Sequence, residues 1–174
     1  VATRGDRIVR IARHIRGRGA RELDVSGKAI APGFINMLAH VQQSLLIDGR
    51  AQSDLRQGVT LEVMGEISAG PLSPRMKLML QNRLAPLKID VDWSTLDEYL
   101  RKFERQNISV NVGAFVGANT IRTYVLQEAN VQPTAEQLAE MRGLVRQGME
   151  QGALGVTTAL IYAPDTFART PELA

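Results

Sequence analysis

Four short apolar segments, separated by long polar stretches, constrain the fold of this chain more than any other feature of its 174 residues. Each segment is short enough to be a strand and apolar enough to be buried on both faces, as strands of a parallel sheet are. Parallel strands need a crossover connection of a dozen residues or more, which is usually a helix. The alternation therefore predicts an α/β sheet or barrel. The four segments are residues 34–38, 60–64, 108–116 and 154–158.

Other elements are predicted from turn signals and composition. Two short strands are expected at residues 7–12, with one face buried, and at residues 22–25. Residues 50–57 have a helical composition and end at Gly58, a residue typical of helix C-termini. Residues 70–92 hold three of the seven prolines, so we expect a long excursion with about one helical turn.

Two further helices have recognisable N-terminal caps. The hydroxyl of Ser94 is expected to cap the first turn of one helix, with Asp97 three residues on. Thr134 and Gln137 form a capping box that begins the other helix, which Gly152 closes. A complete eight-unit barrel needs about 250 residues, so the sequence predicts about four βα units.

Composition excludes several classes of site. The chain has no cysteine, so disulfides, thiolate zinc sites and cysteine nucleophiles are excluded. His14 and His40 are the two histidines, which is too few for a three-histidine metal cage. No apolar run reaches the ~20 residues that span a bilayer, so no membrane partner is expected. The chain lacks an initial methionine, and we expect a cytoplasmic location unless a missing leader carried a secretory signal.

The net charge of +3 is unevenly distributed. Residues 1–28 carry eight Lys/Arg and three acidic side chains, whereas the remaining residues sum to −2. A basic segment can contact phosphates, but this one contains no aromatic residue on which bases could stack. We therefore expect a solvated basic surface and no nucleic-acid partner.

Four blocks of sequence carry a resemblance to a known family. The first, SGKAIAPGFINMLAH, resembles the entry to the barrel in the amidohydrolase superfamily. The other three resemble the N-acyl-D-amino-acid deacylase (D-aminoacylase) family, and all four occur in family order. Those three are DLRQGVTLEVMGE, NVGAFVGANTIR and GALGVTTALIYAPDTFARTPEL.

The resemblance implies a fold and an activity. The family combines a catalytic (β/α)8 barrel of the TIM type with a small β-sandwich, so residues 1–31 would belong to the sandwich and residues 32–174 to the first four barrel units. Family members hydrolyse the amide of N-acyl-D-amino acids, which are small-molecule substrates. A divalent metal, usually zinc, activates water, and an aspartate acts as general base. That aspartate is expected beyond residue 174, so this chain alone is expected to be inactive.

The sequence departs from the family at the metal positions. After Pro-Gly-Phe-Ile the family has Asp-x-His-x-His, but this chain has Asn36, Leu38 and His40 at those three positions. In the segment that is Gly-Asn-Cys-Gly in many members, Glu66 replaces the asparagine and Ile67 replaces the cysteine. The chain is most similar to a branch with Met-Leu in place of the usual His-x-His pair and Gly-Glu after the second strand. An ordinary first metal site is therefore not expected.

His40 and Glu66 remain the candidate metal ligands implied by the resemblance, because both would follow adjacent barrel strands, where active sites form. Imidazole nitrogen and carboxylate oxygen are ligands that zinc accepts. The alternative for His40 is a polar loop residue, and for Glu66 a capping or salt-bridging carboxylate. Glu62 lies in mid-strand, where a structural polar group paired with an arginine is expected. His14, among arginines, is expected to be solvated.

Two candidate substrate-binding residues follow the same resemblance. Tyr162 lies where the family places an aromatic side chain at the mouth of the active site, although simple packing is an alternative. Arg122 could pair with a carboxylate of the substrate or form a structural ion pair.

Other functions stay open at this point. A related amidohydrolase could act on a cyclic amide, as dihydroorotases and hydantoinases do, or on a dipeptide. Leu38 and Ile67 at ligand positions favour a different class, a barrel without catalysis that serves as a binding or structural module.

Overall fold

The computed structural model describes residues 1–174, which divide into two compact units, Val1–Pro32 and Gly33–Ala174. The first unit contains a hairpin of two antiparallel strands, β1 (Ala2–Arg4) and β2 (Arg7–Arg10). The strand predicted at residues 7–12 therefore exists, but its side chains are exposed and the predicted buried face was wrong.

The strand predicted at residues 22–25 is absent. The carboxylate of Asp24 accepts hydrogen bonds from the backbone N–H of Ser26 (2.9 Å) and from its hydroxyl (2.6 Å). The backbone N–H of Lys28 then donates to the carbonyl of Val25 (3.0 Å). Local bonds of this kind compete with strand pairing and favour a turn.

Parallel strands organise the second unit. Strand β4 (Val59–Met64) lies between β3 (Phe34–Asn36) and β5 (Asn111–Ala114), and both neighbours are parallel to it. A second parallel pair joins β6 (Val116–Gly117) to β7 (Val156–Thr157). All four apolar segments therefore contribute parallel strands, as the alternation predicted.

The third apolar segment changes its pairing partner at Phe115. The backbone N–H of Phe115 donates to Met64 of β4 (2.7 Å), whereas that of Val116 donates to Gly155 ahead of β7 (2.9 Å). Residues 108–116 thus form two short strands, rather than the single strand predicted.

The outer strands are less buried than predicted. In β3, Phe34 and Ile35 are 58% and 55% exposed. Val156 of β7 and its neighbour Leu154 are also exposed. Each of these strands has one hydrogen-bonded neighbour, so one edge stays uncovered, whereas the inner strand β4 ends in three buried residues.

Helices follow the strands as the alternation predicted, with differences at the ends. They are α1 (Ser44–Ile47), α2 (Gln52–Leu55), α3 (Pro74–Leu84), α4 (Leu96–Gln106), α5 (Ala118–Leu126), α6 (Ala135–Glu150) and α7 (Thr170–Leu173). Single 3₁₀ turns span Ala85–Leu87 and Asp165–Phe167. None of the helices is long and apolar enough to cross a membrane.

The predicted caps were right for α6 and shifted by one residue for α4. Thr134 and Gln137 form the capping box of α6. In α4 the box joins Thr95 to Glu98, rather than Ser94 to Asp97. The Glu98 carboxylate accepts from the backbone N–H groups of both Ser94 (2.6 Å) and Thr95 (3.1 Å).

One helix is longer than predicted, and another was not predicted. The single turn expected in residues 70–92 is an eleven-residue helix, α3, capped by the Ser73 hydroxyl. Pro74 occupies its first turn, where proline needs no intrahelical bond, so the prolines mark the start of this helix. Helix α5 was not predicted, and it follows Gly117 without a side-chain cap.

An aromatic cluster links the core to the loops after β3 and β4. The rings of Trp93 and Tyr99 are 5.2 Å apart, and those of Tyr99 and Phe103 are 4.8 Å apart. The indole N–H of Trp93 donates to the carbonyl of Ala69 (2.8 Å), and the Tyr99 hydroxyl donates to that of Gln42 (2.8 Å). These buried rings therefore tether both loops to α4.

Candidate active site

The two predicted metal ligands lie next to each other. His40 follows β3 and Glu66 follows β4, and the carboxyl ends of these parallel strands meet at one edge. The backbone N–H of Ala39 extends the pairing by donating to Val63 (2.9 Å). The Nε2 atom of His40 is 3.7 Å from the Oε2 atom of Glu66. The geometry thus places a nitrogen and an oxygen donor side by side.

Solvent reaches both side chains, but unequally. The side chain of His40 is 65% exposed and that of Glu66 is 28% exposed. A small ion or substrate can therefore approach the pair from solvent, with Glu66 on the more enclosed side.

A sharp bend directs the loop that carries Glu66. Gly65 has a φ of +142°, and a Cβ atom there would lie 2.6 Å from Cβ of Phe115 and 2.8 Å from its backbone nitrogen. Both atoms belong to or adjoin the main chain of Phe115, between β5 and β6, and cannot move away as a side-chain end could, so only glycine fits this close approach.

Two of the other family metal positions are apolar and exposed. Leu38 is 62% exposed and Ile67 is 60% exposed. Asn36, at the aspartate position, accepts a hydrogen bond from the backbone N–H of Leu38 (3.3 Å). The structure contains no group of three or more His, Cys, Asp or Glu side chains that could hold a metal ion. His40 and Glu66 therefore form a two-donor pair.

Glu62 is a buried carboxyl group without a partner. Its side chain is fully buried and neither carboxyl oxygen has a hydrogen-bond partner, so the predicted arginine pairing was wrong. Alternation along β4 puts Glu62 on the same face as Met64, which belongs to the core. Burial raises the pKa of the Glu62 carboxyl above its ordinary value of 4.5, and the negative charge of Asp54 raises it further.

Tyr162 lies in the turn after β7, at the end of the sheet where the His40–Glu66 pair is found. The Thr157 hydroxyl of β7 donates to the carbonyl of Gly65, which links that strand to the Glu66 loop. Tyr162 is 56% exposed, and the turn is closed by its backbone N–H, which donates to Ala159 (3.0 Å). The ring is thus accessible to a ligand.

Arg122 is enclosed by the protein. Its guanidinium is fully buried and forms an ion pair with Glu172. It also donates to the carbonyls of Val131 (2.6 Å) and Ala129 (3.3 Å). Of the two alternatives for Arg122, these contacts support the structural ion pair.

The chain is similar to several known proteins. No protein-family model matches the chain. The N-acyl-D-aspartate deacylase of Alcaligenes xylosoxydans xylosoxydans is 33% identical over an alignment that covers 99% of this chain and 35% of that protein. A crystal structure of D-aminoacylase, described as defining a novel subset of amidohydrolases, is 29% identical with a TM-score of 0.66. It matches 82% of this chain and 30% of its own.

A third similar protein was solved with a ligand. The N-acyl-D-glutamate deacylase of Bordetella bronchiseptica, in complex with zinc and a phosphonate mimic of the tetrahedral intermediate, is 26% identical with a TM-score of 0.68. The match covers 82% of this chain and 30% of that one. In fold and in sequence the chain is similar to part of these amidohydrolases. Among them its similarity is to the D-aminoacylase family, as its sequence blocks indicated, and it spans about a third of the length of the relatives it matches.

Proposed function

We propose that this chain is part of an enzyme that hydrolyses the amide bond of N-acyl-D-amino acids. The observation that carries the proposal is the His40–Glu66 pair, 3.7 Å apart at the carboxyl ends of adjacent parallel strands. Active sites of (β/α) barrels form at that end of the strands. Two of the relatives that match the chain are an N-acyl-D-aspartate deacylase and an N-acyl-D-glutamate deacylase.

In this proposal the second unit is the first part of a (β/α)8 barrel. Strands β3, β4, β5 with β6, and β7 are its first four strands. The exposed edges of β3 and β7 support this assignment, because barrel strands have neighbours on both sides. The first unit, with its β1–β2 hairpin, is assigned to the β-sandwich of the family.

A divalent metal, in our proposal zinc, would supply an activated water and polarise the substrate carbonyl. His40 would hold it through an imidazole nitrogen and Glu66 through a carboxylate oxygen, both donors that zinc accepts. Catalytic zinc sites use three protein ligands, so at least one more ligand has to come from sequence outside these 174 residues. The general base is also assigned there. Tyr162 is proposed to line the substrate entrance, and Arg122 to stabilise the fold.

The test is metal content and hydrolysis in a longer protein that contains this chain. We expect about one equivalent of metal or more by elemental analysis, with N-acetyl-D-aspartate or N-acetyl-D-glutamate cleaved in preference to the L-enantiomers. A double variant, His40→Ala with Glu66→Gln, is expected to lose metal and activity. The control, His14→Ala with Glu140→Gln, changes an exposed histidine and an exposed glutamate elsewhere and should retain both.

Leu38 and Ile67 favour a second candidate, a barrel without catalysis, because they put exposed apolar side chains at two ligand positions. That candidate predicts no bound metal and no hydrolysis of any enantiomer. Metal retained by the double variant would instead assign the centre to other residues and leave His40 and Glu66 with structural roles.

A further inference from the structure

We propose that Thr120 is a positioning residue for Glu66, an inference that rests on the role proposed above for Glu66. Thr120 lies in the first turn of α5, 52 residues from the loop that carries Glu66. Its hydroxyl accepts a hydrogen bond from the backbone N–H of Ser68 (3.1 Å) and donates to the carbonyl of the same residue (3.2 Å). One side chain thus holds both polar groups of a main-chain unit two residues beyond Glu66.

Burial makes this contact specific. Thr120 is 2% exposed and Ser68 is 7% exposed, so water cannot readily replace either bond. A hydroxyl group is able to donate and accept at once, and both of its functions are used here. Loss of the hydroxyl would leave the buried N–H and carbonyl of Ser68 without hydrogen-bond partners. Because buried unpaired groups are costly, we expect the loop to move toward solvent.

The same loop is held at other points. The hydroxyl of Thr157 binds the carbonyl of Gly65, and the side-chain amide of Gln42 donates to the carbonyl of Ile67 (3.3 Å). At Gly117, just before α5, a Cβ atom would lie 2.9 Å from the carbonyl oxygen of Glu66 and 2.9 Å from the backbone nitrogen of Ser68. The loop therefore rests directly on the start of α5.

These contacts fix the main chain on both sides of Glu66 and leave its carboxylate free to face His40. Partners that orient a metal ligand commonly change metal affinity by 10–100-fold when they are removed. We therefore assign to the hydroxyl of Thr120 the function of keeping the Glu66 carboxylate near His40, with no contact of its own to metal or substrate.

The experiment compares Thr120→Val, which removes the hydroxyl at nearly constant shape, with Thr120→Ser, which keeps it. Thr123→Val is the matched control, since it makes the same change one turn later in α5, at a half-buried residue. NMR of the longer protein that contains this chain gives two readouts, the hydrogen exchange of the Ser68 amide and the shift of the His40 imidazole during a Zn²⁺ titration. His14, an exposed histidine elsewhere, is the internal reference.

We expect Thr120→Val to accelerate exchange of the Ser68 amide and to weaken Zn²⁺ binding at His40 about ten-fold. Thr120→Ser and Thr123→Val should match the wild type in both readouts. The proposal would be overturned if the Ser68 amide of Thr120→Val exchanged as slowly as in the wild type and the variant bound Zn²⁺ with the same affinity. Equal losses in Thr120→Val and Thr123→Val would also overturn it, because they would show a general loosening of α5.

Two outcomes separate this proposal from the proposed function. If the wild-type protein shows no Zn²⁺ shift at His40, the metal role of the pair fails, and Thr120 is judged by Ser68 exchange and by the amide shift of Glu66. If Thr120→Val does not fold, Gly117→Ala displaces the same loop from the start of α5 with the hydroxyl intact. Its added methyl group should displace Glu66 and weaken Zn²⁺ binding, and an unchanged affinity would contradict the proposal.

Discussion

The hydroxyl of Tyr99 donates to the main-chain carbonyl of Gln42 across 2.8 Å, which ties the loop after β3 to the buried face of α4. Tyr99 is 1% exposed, and this burial raises the pKa of its phenol well above the ordinary value, so it stays a neutral donor at all physiological pH values. The loop that carries His40 is therefore held by a bond that pH does not switch.

Replacement of Tyr99 by phenylalanine should remove that bond and preserve the packing. We expect a loss of about 1 kcal/mol in the free energy of unfolding, the usual net value of one hydrogen bond, measured by urea denaturation. Amide exchange around His40 should also accelerate. Tyr124→Phe, at a half-buried tyrosine of α5, is the control. Equal effects of the two variants would show that the bond to Gln42 contributes nothing particular.

The ion pair between Arg122 and Glu172 should behave as a buried pair. Removal of one partner, as in Arg122→Met, is expected to cost roughly 3–5 kcal/mol, because the other charge stays buried without compensation. The double variant Arg122→Met with Glu172→Leu should recover much of that loss. Arg101→Met, which breaks an exposed pair with Asp97, should cost less than about 1 kcal/mol. A double variant less stable than Arg122→Met would contradict this account.

Glu62 should destabilise the fold as the pH rises. Its pKa is raised in the folded protein, so folding favours the protonated form. The associated stability is present below the ordinary pKa of 4.5 and is lost as the pH rises through the folded value. Glu62→Gln should therefore gain stability over the wild type at pH 8, by roughly 1–3 kcal/mol, and gain less near pH 4.5. Urea denaturation at both values measures this, with Glu140→Gln as an exposed control. A gain that is the same at both pH values would exclude titration of Glu62 as the cause.

Two glycines should respond oppositely to alanine. Gly65→Ala places a Cβ atom 2.6 Å from Cβ of Phe115 and is expected to cost more than about 2 kcal/mol, because the backbone on both sides of this contact is held by neighbouring paired strands. Gly143, within α6, has open space within 4 Å of the point where an alanine methyl group would lie, so Gly143→Ala should stabilise by about 0.5–1 kcal/mol. Thermal unfolding of both variants measures the contrast. A tolerated Gly65→Ala would mean that the Glu66 loop moves without penalty.

The sequence predicted best the features that depend on neighbours along the chain. The four strands follow from short apolar runs, and the α6 cap follows from Thr134 and Gln137, three residues apart. The proximity of His40 and Glu66 also follows from local information, because each comes shortly after a strand and parallel strands align their ends.

Features that depend on distant contacts were out of reach. The exposure of Phe34 depends on whether strands lie on one side of β3 or on both. The residues of β3 alone do not determine this. The bonds from Thr120 to Ser68 join residues 52 positions apart. Gly117 was the available signal for that contact, since a glycine before an uncapped helix indicates close approach of another chain segment.

The change of partner at Phe115 has a consequence for how this unit forms. The peptide unit between Ala114 and Phe115 binds neighbours on both sides, because its N–H donates to the carbonyl of Met64 and its carbonyl accepts from the N–H of Leu154, ahead of β7. Each of these strand pairings also joins distant residues, such as Glu62 with Val112 and Gly117 with Thr157. Chains rich in such long-range pairings fold slowly. Because the two sheets share this peptide unit, formation of one strand pairing limits the conformations in which the other can form. The two sheets should therefore form in one kinetic step.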